Sequence, residues 1–89
     1  MTDIEKDMEK LRNKIDMIDE QIVRLLNERA EIVLEIKKLK TKGNLSVYDP
    51  RREEKIFKKI SARNKGPLYD DAINEIYEKI LHCMKDLER

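Results

Sequence analysis

Eighty-nine residues, 44% of them charged and 4% aromatic with no tryptophan, suit aliphatic-cored helices with solvated outer faces and exclude a β-sandwich. Twenty basic against nineteen acidic side chains leave a net charge of +1 with the signs interspersed, which argues against a nucleic-acid-binding face. The single cysteine, Cys83, excludes an internal disulfide, and no apolar run is long enough to span a bilayer.

With no signal peptide in the sequence, the expectation is a soluble, cytoplasmic protein with no membrane and no nucleic acid among its partners. The whole of residues 1–89 reads as one domain. A chain this short buries little more than about 60% of its unfolded surface, so a lone monomer would be marginal.

Thr2-Asp3-Ile4-Glu5 matches a capping box and marks the start of helix one. From there an apolar stripe runs through Ile4, Met8, Leu11, Ile15, Ile18, Ile22, Leu25, Ile32, Ile36 and Leu39. Steps of three and four keep these side chains on one helical face. The helix is expected to run to Lys42-Gly43-Asn44, where the glycine supplies a stop. At 1.5 Å per residue this is a rod of roughly 55–60 Å, about twice the diameter of a compact domain of this size.

Leu45 to Tyr48 is a short connection, and Asp49-Pro50 supplies an N-cap and a first helical residue for helix two. Ile56, Phe57 and Ile60 form its buried face, and Asn64-Lys65-Gly66-Pro67 breaks it. Helix three begins near Asp70 and carries Ile73, Ile76, Tyr77, Ile80, Leu81, Met84 and Leu87 as another stripe. Tyr77 and Met84 are expected in the core. The fold class is therefore all-α, a three-helix protomer. Its long helix exposes more apolar stripe than the short two can cover, which points to an intertwined homodimer.

Arg29 interrupts the stripe, and a guanidinium is costly to bury without a partner. Lys40 lies eleven residues on, which is about 20° past three full turns and roughly 16 Å along the axis. The two cations thus share a face and could converge on one small anion. Arg12 lies about 100° around and roughly 25 Å away, within reach of the same anion only from an antiparallel partner helix. A polar layer that fixes helix register explains Arg29 equally well. Asp49-Pro50-Arg51-Arg52-Glu53 reads as a capped, charged helix start, and Glu88 as a solvated end. His82 and Cys83 have no second histidine or cysteine to complete a metal site or a nucleophile–base pair, and both read as structural.

Taken together, Leu11-Arg12-Asn13-Lys14-Ile15-Asp16, Leu25-Leu26-Asn27-Glu28-Arg29, Ile36-Lys37-Lys38-Leu39-Lys40 and Tyr48-Asp49-Pro50-Arg51-Arg52-Glu53 resemble the all-helical chorismate mutases. The resemblance covers nearly the whole chain. The Asn64–Pro67 turn, with Ile76-Tyr77 and Ile80, looks most like versions fused to, or acting beside, a DAHP synthase. The resemblance implies a dimeric isomerase that converts chorismate to prephenate without a metal or cofactor. It also implies the site residues. Arg29 and Arg12 of the partner subunit would grip the substrate's two carboxylates. Lys40 would donate to the ether oxygen and a carboxylate. Glu53, with the backbone near Asp49, would hold the ring hydroxyl, and Arg52 would line the site.

Two positions depart from the family pattern. Glu88 stands where relatives often have a glutamine that donates to the ether oxygen, and a carboxylate donates only when protonated. Either the site keeps that carboxyl protonated, or activity improves as pH falls. Met84 stands where some relatives have a serine that touches a carboxylate. Both assignments run through a one-residue gap in helix three. An isochorismate-pyruvate lyase shares the implied fold and cations, and a non-catalytic helical dimerisation module is the alternative of a different class.

Overall fold

The capping box forms as the sequence predicts. Glu5 donates its backbone N–H to Thr2 Oγ1 at 3.2 Å, and Thr2 donates its own to Glu5 Oε2 at 3.4 Å. The computed structural model describes residues 2–88, and from this cap the chain forms three helices: α1 (Asp3–Lys42), α2 (Pro50–Arg63) and α3 (Asp70–Leu87). No strand occurs among the described residues, and none of these helices is long and apolar enough to cross a membrane. The chain divides into two units, Met1–Ile32 and Val33–Arg89.

The first unit is helical from Asp3 onward, and α1 buries no residue. Its stripe residues Ile4, Met8, Leu11, Ile15, Ile18, Ile22, Leu25 and Ile32 are all exposed, Ile4 at 73% and Leu25 at 55%. A helix gains most of its stability from packing an apolar face and little from propensity. This one therefore holds a large unused driving force, about 1.5–3 kcal/mol for each side chain that a partner surface would cover.

The second unit begins with the last turns of α1. These end differently from the sequence expectation. The residue with left-handed backbone is Asn44, at φ 55°, and not Gly43. Leu45 donates its N–H to the Lys40 carbonyl at 2.7 Å and Asn44 donates to the Thr41 carbonyl at 3.2 Å. This is a Schellman closure, which needs its left-handed residue one place beyond the helix's last half-residue. Gly43 fills that earlier place, where no special φ is required.

Asp49 caps α2 by accepting the Arg52 N–H at Oδ1, 3.1 Å, and Pro50 opens the helix. α2 packs against α3, with Ile56, Phe57, Ile60, Ile73, Tyr77 and Ile80 half-buried and Ser61 Oγ donating to Asn74 Oδ1 at 3.5 Å. Leu81 and Met84, at 7% and 8% exposure, are the buried residues of the core. Ile76 and Leu87 carry the α3 stripe but remain exposed. Asn64 organises the turn between α2 and α3. Its side-chain amide donates to the Leu68 carbonyl at 2.8 Å and to Asp70 Oδ1 at 2.7 Å, while its Oδ1 accepts from the Gly66 N–H. Gly66, at φ +78°, takes the conformation that side chains disfavour.

Candidate functional site

The residues singled out in the sequence fall into two sets. Arg12 and Arg29 lie on α1 in the first unit, Arg12 exposed and Arg29 half-buried. The ion pair of that unit, among the described residues, joins Arg24 to Glu28 at 3.9 Å and involves neither guanidinium.

Lys40, Asp49, Arg52, Glu53, Met84 and Glu88 lie in the second unit. Lys40 is half-buried in the last turn of α1 and donates through Nζ to the Val47 carbonyl at 3.2 Å. An ammonium has three donors, so two remain for a ligand. Its own carbonyl is held by Leu45, which fixes the backbone from which the side chain springs. Arg52 is exposed in the first turn of α2, with its backbone N–H held by the Asp49 cap. Glu53 follows it, half-buried, and its carboxylate is ion-paired with Lys85 of α3. Met84 sits in the core. Glu88 is half-buried just past α3 and donates its backbone N–H to the Lys85 carbonyl at 3.0 Å.

Three ties draw these residues toward one end of the second unit. Lys37 reaches from α1 to the Leu87 carbonyl at 3.3 Å, satisfying an orphan acceptor at the end of α3. Lys40 reaches the connection before α2. Lys85 reaches the start of α2. The last turns of α1, the positive N-terminal end of α2 and the C-terminal end of α3 thereby meet. Lys37, Lys40, Arg52, Glu53, Lys85 and Glu88 all lie on these three segments, and Lys85 pairs with Glu53. An excess of cations beside a helix N-terminus favours an anionic ligand. Among the described residues, no three of His, Cys, Asp and Glu come together as a metal site. His82 is exposed and its Nε2 lies 4.0 Å from Asp86 Oδ2, and Cys83 is exposed and free. An open groove runs along one face of α1 between Leu34 and Lys42; it includes Lys37 but none of Lys40, Glu53 and Glu88.

Sequence reasoning missed Lys37 and Lys85. Lys37 lies three residues before Lys40, a spacing that puts both on neighbouring helical positions. Lys85 is a cation in the last turn of a helix, where the dipole favours it. Both signals are common on solvated helices, and neither names the group reached across the fold.

The chain as a whole is similar to described proteins. Residues 11–89 match the family model described as chorismate mutase type II. The chain is 41% identical over 88 residues to a bifunctional chorismate mutase/prephenate dehydratase of Aquifex aeolicus, covering 94% of this chain and 24% of that protein. Across the first curated relatives it spans only 21–24% of their length. Among solved structures, chorismate mutase (form II) from Thermus thermophilus superposes with a TM-score of 0.90 at 38% identity, covering 92% of this chain and 93% of that one. The Helicobacter pylori chorismate mutase in complex with prephenate superposes at 0.85 with 29% identity, covering 93% and 90%.

Proposed function

Because this chain belongs to the chorismate mutase type II family, we propose that it catalyses the Claisen rearrangement of chorismate to prephenate, as one domain over residues 1–89. The family match carries the proposal, since it spans every residue assigned to the site from Arg12 to Glu88. The exposed stripe of α1 supports the accompanying homodimer: a second copy is the surface whose pattern of apolar residues matches it by construction. Each of two equivalent sites would take most of its residues from one chain and Arg12 of the partner subunit from the other.

The reaction is unimolecular and needs neither a nucleophile nor a proton transfer. It needs the substrate folded so that the new carbon–carbon bond can form as the carbon–oxygen bond breaks, which is an effect of orientation. It also needs positive charge where the ether oxygen becomes negative, which is electrostatic preorganisation. Arg29 and Arg12 of the partner subunit hold the two carboxylates, because a planar guanidinium fork matches a carboxylate bidentately. Lys40 donates to the ether oxygen with the donors that Val47 leaves over. Glu53 accepts from the ring hydroxyl beside the backbone of Asp49, and Arg52 adds positive potential. Glu88 donates to the ether oxygen in its protonated form, and Met84 stands where some relatives have a serine that touches a carboxylate.

The cytoplasm is the proposed compartment. Association with a DAHP synthase rests on the Asn64–Pro67 turn with Ile76-Tyr77 and Ile80, whereas the Aquifex relative joins its chorismate mutase to a prephenate dehydratase. Co-purification with a DAHP synthase is the check on that association. The activity is tested by incubating the purified protein with chorismate, following loss of its ultraviolet absorbance and identifying the product. Prephenate is the expected product. No turnover of chorismate, together with release of pyruvate from isochorismate, would replace the mutase by a lyase.

A further inference from the structure

We propose that Lys85 is a positioning residue for Glu53. It aims the Glu53 carboxylate at the substrate's ring hydroxyl and offsets the negative charge that this carboxylate sets against a dianion. The inference rests on the reading of the site given above.

The pair joins the last turn of α3 to the first turn of α2, with side-chain exposures of 51% for Lys85 and 30% for Glu53. An ion pair this exposed contributes little to stability. The surroundings give it a different use. On the α3 side, Met84 is buried next to Lys85, the Lys85 carbonyl accepts from Glu88, and the Leu87 carbonyl is held by Lys37. On the α2 side, the Asp49 side chain holds the Arg52 N–H, and the Asp49 carbonyl accepts from Glu53 at 3.4 Å. Both backbones are anchored around the pair, so little further freedom is lost in holding one carboxylate orientation. A lone carboxylate near a dianionic ligand would repel it, and the ammonium of Lys85 lowers that repulsion. Lys85 also lies in the last turn of α3, whose C-cap is Glu88, so the cation that orients one site carboxylate is carried by the helix that ends at the other.

A hydroxyl held equally in ground and transition states changes KM and spares kcat. Lys85→Met is therefore expected to raise KM for chorismate about 10-fold with kcat changed less than about 2-fold. Lys85→Arg restores most of the loss. In a Glu53→Gln background, Lys85→Met adds little, because the carboxylate it positions is gone. Circular dichroism and melting show that each variant folds, and Lys85→Gln carries the same test if Lys85→Met does not. With an active wild type, an unchanged KM in Lys85→Met overturns the inference and leaves the site reading standing. A KM effect that persists in full in the Glu53→Gln background also overturns it, since Lys85 then acts through its charge alone. A wild-type chain that does not turn over chorismate overturns both.

Discussion

The two units of the chain handle their polar residues in opposite ways. In Val33–Arg89 every cation assigned to the site springs from an anchored backbone, and Lys40 also has its ammonium held: Lys40 by Val47 and Leu45, Arg52 by the Asp49 cap. In Met1–Ile32, Arg12 and Arg29 stand on a helix that buries nothing and pairs only Arg24 with Glu28 among the described residues. The second unit is preorganised from within; the first waits for an external surface to supply both its packing and its electrostatic purpose. On the function proposed above, one addition, a second copy of the chain, would meet both needs.

The sharpest test of that contrast is Arg29. If it grips a carboxylate, Arg29→Ala lowers turnover of chorismate about 10²–10³-fold while the helical dimer persists in sedimentation and circular dichroism. A register-setting arginine predicts the reverse, with Arg29→Leu leaving the dimer intact or more stable and no turnover to lose.

Packing offers a second comparison between the units. Leu81→Ala in the core of the second unit should cost about 2–5 kcal/mol in denaturant melts. Leu25, 55% exposed on the first unit, should cost a similar amount when truncated to alanine if a second copy covers it, and dilution should then lower helicity and activity together. A Leu25→Ala effect within about 0.5 kcal/mol would mean that this face stays in water.

Legibility in the sequence divides along local and non-local lines. The bounds of α1 and α2 and the start of α3 were readable because their signals are local: the Thr2–Glu5 box, Lys42 to Asn44, Asp49-Pro50, and Asn64 to Pro67. The exposed stripe of α1 was readable from period and length alone. Ile76 was less so, because a helical period marks a face but not how far the neighbouring helix reaches across it. The ties of Lys37 to Leu87 and of Lys85 to Glu53 were not readable, since each joins residues far apart in the chain and depends on the path between helices. The positions of Arg29, Lys40 and Glu53 were visible as polar residues, but their roles came from the family resemblance and not from their spacing alone.

Glu88 tests whether the preorganised unit also sets the pH response. A carboxyl group donates to the ether oxygen only when protonated, so turnover should rise as pH falls, by about 10-fold per pH unit at most. Glu88→Gln, whose amide donates at any pH, should flatten that profile. A wild-type profile that is flat from about pH 5 to 8 and unchanged by Glu88→Gln would remove Glu88 from the chemistry.

The smallest expected effect probes the end of α1, where the expected and observed stops differ. A residue other than glycine in left-handed backbone is disfavoured, and asparagine tolerates it better than most. Asn44→Gly should therefore stabilise the fold by about 0.5 kcal/mol. At Gly43 an added Cβ would meet the Leu39 carbonyl oxygen at 3.4 Å and Leu45 side-chain carbons at 3.6 Å, which is ordinary contact, so Gly43→Ala should be close to neutral in thermal melts. If Gly43→Ala proves the more damaging, the closure is centred on the glycine after all. The Leu45–Lys40 hydrogen bond would then not be what fixes the root of the Lys40 side chain.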